Sequence, residues 1–279
     1  MMLGQCERVS VVRIAGGSHK LTDLMLWLAQ THDAASPLMA TIARSNPAVL
    51  DRDRYVLGAI AVSRELAQGV LAEAAAGRAG NAMRLARHLF EQELEFGYIL
   101  DEPSPRLCQW RASEAKIRLR LSKLPGLQLD RDLQKQLRAL TRWAQRKEER
   151  ADDRQKRFNE SVPFSDRGYL PNRRILAEAQ GRAADYHLFY AGASWLSHPG
   201  NIASEMHFEE GGMALKSPGP SESDHIAQGV ALAVDALYRL VDRANWVLGP
   251  LPYMATNLAA ISTEVDLAAA HGRRSRSRS

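Results

Sequence analysis

The chain has 279 residues, 45% hydrophobic and 25% charged, enough apolar material for a full core and close to the average of a globular protein. Wholesale disorder and collagen-like repeats are excluded by that composition alone. Its 37 Lys and Arg against 32 Asp and Glu leave +5, a mild bias rather than a nucleic-acid signature, and Arg273, Arg274, Arg276 and Arg278 supply part of it at the C-terminal end.

Residues 1–19 read as an irregular leader, with Gly16, Gly17 and Ser18 closing a short Val/Ile run. From Leu21 the positions Leu24, Trp27 and Leu28 follow helical spacing, and Pro37 and Pro47 punctuate a short second segment. Asp51 is placed to N-cap a long helix through Tyr55, Ile60, Val62, Leu66 and Leu71, which stops before Gly77 and Gly80. Asn81 is expected to cap the next helix, over about residues 81–100, and Pro103 and Pro105 end it while opening another that runs to Pro125-Gly126. From Asp130 to about residue 160 the apolar set Leu133, Leu137, Leu140 and Trp143 fades into a mixed-charge run. Such a run predicts a solvated helix face or a charged helical projection near residues 144–160.

A loop with Pro163, Gly168 and Pro171 leads into a predicted helix over about residues 172–197, broken by His198-Pro199-Gly200. Residues 204–216 alternate around Glu210-Gly211-Gly212 and fit one small β-hairpin. Ser221 and Asp224 open a helix to Leu248, Pro250-Leu251-Pro252 separates a last helix reaching about Ala270, and residues 272–279 form a low-complexity basic tail expected to be disordered. No repeat of 20 to 50 residues supports a solenoid. The expected fold class is therefore all-α, a single bundle domain of about seven to nine helices spanning residues 20–271.

Cys6 and Cys108 stand far apart, so neither a disulfide framework nor a zinc knuckle is encoded and a reducing cytoplasm is the expected compartment. Glu7, Arg8 and Arg13 interrupt the N-terminal apolar stretch, against a secretory signal. Asp235, Arg239, Asp242 and Arg243 interrupt the most apolar later stretch, so no membrane span is predicted. Glycine-rich nucleotide loops, the nucleophile elbow and the His-Glu-x-x-His zincin pattern are missing, and His88-x2-Glu91 is the reverse of a di-metal bundle's Glu-x-x-His. No metal and no cofactor are expected.

Two polar stripes concentrate the chemistry. Arg84, Arg87, His88, Glu91 and Glu95 recur at spacings of three and four on one helix, opposite Leu85, Leu89, Phe96, Ile99 and Leu100. About a hundred residues later Tyr186, Tyr190, Ser194 and His198 follow one another four apart, the histidine ending its helix, where the macrodipole favours its protonated form. Were the two helices neighbours, Glu91 could orient His198 for acid/base work while Arg87 offers a donor fork to a phosphate or carboxylate, with Tyr190 and Ser194 as further ligand contacts. The same groups could equally form a buried polar network that only fixes helix register.

The segment Arg87-His88-Leu89-Phe90-Glu91 running into Tyr98-Ile99-Leu100, with the later Tyr190-x3-Ser194-x3-His198-Pro199, resembles a bacterial all-helical family catalogued only as a domain of unknown function. The likeness covers mainly residues 60–250. It implies an all-α cytoplasmic protein with an Arg-x3-Glu helix and a Ser-x3-His-Pro helix end, Arg87, Glu91, Ser194 and His198 as matching positions, and a bacterial defence or stress setting. It supplies no activity or cofactor, and Ser197 stands where the pattern has an apolar residue. Arg182 and His187 are also spaced like the Arg-x4-6-His of HEPN-type nucleases, although Ala183 replaces the usual polar residue. Three readings stay open: a binding or regulatory protein for an anionic ligand, a metal-independent ribonuclease using Arg182 and His187, and a purely structural network. The partners they allow are a small anionic ligand, RNA, or a second copy of the chain as a homodimer.

Overall fold

A computed structural model describes residues 21–36, 51–159, 161–187, 206–209, 212–215 and 220–248. Eight α-helical segments and one two-stranded hairpin occur among the described residues, the all-α architecture that the apolar periodicity predicts. The contacts gather in two units, residues 1–93 with 184–279, and residues 94–183.

In the first unit α1 (Leu21–Ala34) packs on α2 (Asp51–Ala75) and on the last of the described helices, Pro220–Leu248, which also packs on α2. The first fifteen residues of α3 (Ala79–Asp101) belong here as well. Small residues at spacings of three and four bring the backbones together: Ala59, Ser63, Ala67, Val70 and Ala74 form the buried row of α2. A Cβ on Gly229 of the last helix would stand 3.4 Å from the Met83 backbone of α3. Leu28, Ile60, Leu89, Phe90, Leu237 and Leu240 fill the core, each worth about 1.5–3 kcal/mol of transfer free energy.

The turn from α2 to α3 is a Schellman motif. Gly77 takes φ +72, its N–H reaches the Ala74 carbonyl at 3.0 Å, and the Arg78 N–H reaches the Glu73 carbonyl at 2.9 Å. Asn81 does not cap α3, which begins two residues earlier. Its amide instead donates to Glu73 Oε2 at 3.0 Å, beside the Arg78 guanidinium on the same carboxylate at 2.9 Å. Those hydrogen bonds, Arg78 first, hold the Glu73 carboxyl down at about 2.

The second unit contains the last eight residues of α3, then α4 (Pro103–Leu121), α5 (Arg131–Phe158), a 3-10 turn (Phe164–Asp166) and α6 (Arg173–Ala179). Pro103 starts α4, where a missing N–H costs nothing. Asp130 N-caps α5 by accepting from Asp132 N and Leu133 N at 2.9 and 3.2 Å, and Asn159 ends it in the left-handed region. α5 packs along α4 through Leu137, Ala144 and Ala151, one residue per heptad. The mixed-charge half of α5 is not solvated all round, because it fastens the connection to α6. Glu148 Oε1 accepts from the backbone N–H of Gly168 at 2.9 Å and of Tyr169 at 3.2 Å, and its other oxygen receives Arg167 at 3.1 Å.

The helix predicted over 172–197 is interrupted. α6 stops at Ala179 in a second Schellman motif, with Gly181 at φ +68, its N–H on Glu178 O at 3.1 Å, and Arg182 N on Ala177 O at 2.7 Å. A three-residue turn, α7 (Ala183–Asp185), follows. The hairpin appears where the sequence puts it, β1 (Met206–Glu209) antiparallel to β2 (Gly212–Leu215) with Met206 opposite Leu215 and Glu209 opposite Gly212. The helix ending at Leu248 is α8. The leader, the Pro37–Pro47 segment, the last predicted helix and the Arg-Ser tail lie outside the described residues. No helix among the described residues is long and apolar enough to cross a membrane.

Candidate functional site: the α3 stripe and a basic groove on α5

Helical spacing does gather three of the five polar residues of α3. Arg87 Nε donates to Glu91 Oε1 at 2.9 Å, with both side chains about one-fifth exposed, and His88 Nδ1 lies 3.9 Å from the other Glu91 oxygen. The His88 ring is otherwise largely in solvent. Arg84 turns to Asn81 Oδ1 at 3.3 Å, and Glu95 leaves the stripe to pair with Arg173 of α6. Two residues past Glu91, Glu93 is completely buried. Gln92 donates to the Ala59 carbonyl at 3.2 Å and ties α3 to α2. Part of the polar face is thus a network within the helical core, as a register-fixing arrangement requires.

The partners foreseen for Arg87 and Glu91, namely Tyr190, Ser194 and His198, lie outside the described residues. Arg182 is buried at 4% exposure, and its backbone N–H closes the α6 cap. His187 is exposed, its ring edge-on to Tyr186 with centroids 5.8 Å apart. Among the described residues no three His, Cys, Asp or Glu side chains converge as metal ligands.

A second polar network, unforeseen in the sequence, lies inside the unit formed by residues 94–183. Gln109 is fully buried on α4 and donates to two loop carbonyls, Phe164 O at 2.6 Å and Arg167 O at 2.8 Å, while Tyr98 Oη donates to Gln109 Oε1 at 3.4 Å. Ser113 Oγ accepts from Leu170 N at 3.1 Å. Burial raises the Tyr98 phenol above its ordinary value, against the nearby Arg106 guanidinium, which sits 4.0 Å over the ring. Both Gln109 amide N–H groups and the Tyr98 hydroxyl are spent on the fold, so this network positions a loop.

The open chemistry lies along α5. A groove of about 480 Å³ is lined by Arg131, Lys135, Arg138 and Arg142, all exposed. Gln134, Thr141 and Gln145 add neutral hydrogen-bonding groups, and Leu119 of α4 is the one apolar side chain lining it. No carboxylate lines this groove, and none of the four cations makes an ion pair among the described residues. Their spacing of four, three and four keeps them within one narrow stripe, on the side of α5 away from the Leu137, Ala144 and Ala151 seam. At Glu149, five turns past Arg131 on the same line, the first acid enters.

The charge count points to the same place. Residues 94–183 hold 20 Lys and Arg against 13 Asp and Glu, an excess of seven, while the remainder of the chain, Arg-Ser tail included, holds 17 against 19. The positive bias assigned in part to the tail therefore belongs to one folded unit.

No curated protein and no solved structure matches the chain significantly. A family model does match, over residues 53–213, from just inside α2 to the second strand of the hairpin. That span takes in both the Arg87–Glu91 stripe and the α5 groove, and it replaces the expected 60–250. The match covers more than half of the 279 residues, and the chain belongs to the family of unknown function DUF5677.

Proposed function

We propose that the chain is a helical binding or regulatory protein for an anionic ligand, and that the α5 groove is the ligand's seat. The observation that carries this reading is the acid-free lining of four cations, none of them in an ion pair among the described residues, with only Arg142 Nε engaged, on the Arg138 carbonyl at 3.4 Å. At α3 an incoming anion would have to displace Glu91 from Arg87. At α5 it displaces only water and counterions, so the ion pairs it forms are not offset by ones it breaks. Gln134 and Gln145 supply neutral hydrogen-bond donors along the same wall, while Thr141 spends its hydroxyl proton on the Leu137 carbonyl at 2.9 Å.

Thermal unfolding with sodium tripolyphosphate tests the reading, against sodium chloride of equal ionic strength. Ligand at about a hundred times its dissociation constant adds about 2.7 kcal/mol to the folded state, which is a rise of several degrees in Tm. The wild type should show it and the double variant Arg138→Gln, Arg142→Gln should show little of it. Equal shifts in both, or none beyond the chloride control, would refute this seat. Incubation with RNA separates the ribonuclease reading: intact RNA supports a binding protein, whereas cleavage lost in His187→Ala or His198→Ala would replace it.

A further inference from the structure

We infer that the α5 groove holds the phosphodiester backbone of a nucleic-acid duplex without reading its sequence. The inference rests on the anionic-ligand reading and narrows it to one chemical class.

Length is the first argument. Arg131 and Arg142 are eleven residues apart on one helix, about 16 Å along its axis. A single phosphate or carboxylate cannot meet four cations spread over that distance, whereas a duplex presents one negative charge per about 1.7 Å of axis.

The lining is the second. Leu119 is its one apolar side chain and no aromatic ring lines it, so there is nothing to bury a small organic ligand and nothing on which an unpaired base could stack. Arg, Lys and Gln side chains are among those that contact phosphate and sugar oxygens. A single strand bound by stacking is therefore the poorer fit.

An anionic membrane is the third candidate to weigh. Seating a helix in its interface takes exposed apolar residues on the same face as the cations. Ile117 and Leu121 are exposed on α4, but each is two residues from Leu119 and so points about 160° around that helix from the groove wall, and Leu124 and Leu127, exposed in the turn before α5, do not line the groove either. The apolar and cationic surfaces do not coincide. The face also has a defined end, since the C-terminal half of α5 brings in Glu149, Asp152 and Asp153.

Binding of labelled 20-base-pair DNA and RNA duplexes, and of a single strand of equal length, to the full chain measures this by fluorescence anisotropy over a salt series. Four phosphate contacts predict a slope of log K against log salt of about −3.6, and a loss of about 150-fold in affinity between 50 and 200 mM salt. Arg138→Gln alone should flatten the slope by about 1. The variant carrying Arg131→Gln, Lys135→Gln, Arg138→Gln and Arg142→Gln should abolish salt-dependent binding. These side chains are exposed, so the variant should fold, which circular dichroism checks.

Two charge-matched controls should bind as the wild type does. One replaces Lys123, Arg150, Lys156 and Arg157 by Gln, and the other replaces Arg273, Arg274, Arg276 and Arg278. Equal loss in either control, tighter binding of the single strand than of the duplexes, or duplex binding untouched by the four-site variant would overturn the inference. Tripolyphosphate binding without duplex binding would overturn it while leaving the anionic-ligand reading intact. Failure of both ligands would remove both. DNA bound as well as RNA marks backbone recognition, and one bound alone marks recognition of duplex geometry; both outcomes support the inference.

Discussion

Replacing Gly168 by alanine probes how the loop between α5 and α6 is seated. A Cβ at this position would stand 2.0 Å from the Ala144 carbonyl oxygen and 2.6 Å from its carbonyl carbon and Cα. All three are backbone atoms of a long helix, so no rotamer change relieves the clash and the loop must lift by more than an ångström. Overpacking of this kind costs about 1–3 kcal/mol. Lifting the loop also strains the Gly168 and Tyr169 N–H bonds to Glu148 at 2.9 and 3.2 Å, which are charge-assisted and worth about 1.5–3 kcal/mol each when lost. A total of about 3 kcal/mol results if the bonds are partly retained. Native-state hydrogen exchange of peptides from α4 and α5 should then accelerate about 100-fold. Gly58→Ala is the internal control: nothing lies within 4 Å of its added Cβ, in the interior of α2, so the same chemical change should stabilise by up to about 1 kcal/mol. Exchange in α4 and α5 that changes by less than threefold in Gly168→Ala would refute the reasoning, as would destabilisation of similar size in both variants.

Three further outcomes follow from the same contacts. Gln109→Leu keeps the volume but strips the Phe164 and Arg167 carbonyls of their donor; a loss of about 2–3 kcal/mol is expected, read as a lower urea midpoint. Glu73 has its folded pKa depressed to about 2, below the ordinary 4.5. Its contribution is therefore complete above pH 4.5 and is lost as pH falls through 2, so the Tm gap between wild type and Glu73→Gln should close across that window; a gap constant from pH 5 to 2 would contradict the assignment. Arg87→Ala removes an i,i+4 pair whose side chains are each about one-fifth exposed, for which about 1 kcal/mol or less is expected. A double-mutant cycle with Glu91→Ala should return a coupling of about 0.5 kcal/mol, and a coupling above 2 would mean that the pair belongs to a more demanding site.

The helices were legible wherever apolar period and stop signals agreed. α2, α4, α5 and α8 begin within one residue of the Asp51, Pro103, Asp130 and Ser221 signals. Where the two disagree, the local signal prevails: Gly181-Arg182 builds the same Schellman cap as Gly77-Arg78, but helical periodicity running on through Tyr186 and Tyr190 masks it in the sequence. Asn81 shows the opposite failure, since a good capping residue is drawn instead to Glu73 of the preceding helix. The α5 stripe was written in the sequence as cations four, three and four apart, yet it merges there into the mixed charges of residues 146–157.

Local backbone energetics act over a few residues, so chain order is enough to set secondary structure, caps and the alternation of polar and apolar faces. Pairing is different. Glu148 with Gly168, Gln109 with Phe164 and Glu95 with Arg173 join residues 20, 55 and 78 positions apart, and no periodicity links them. Whether a charge is consumed by such a pair or left facing solvent depends on which side chains the packed helices bring within a few ångströms. For that reason only the tertiary structure distinguishes Arg173, held by Glu95 from 78 positions away, from Arg138, which has no carboxylate to hold it.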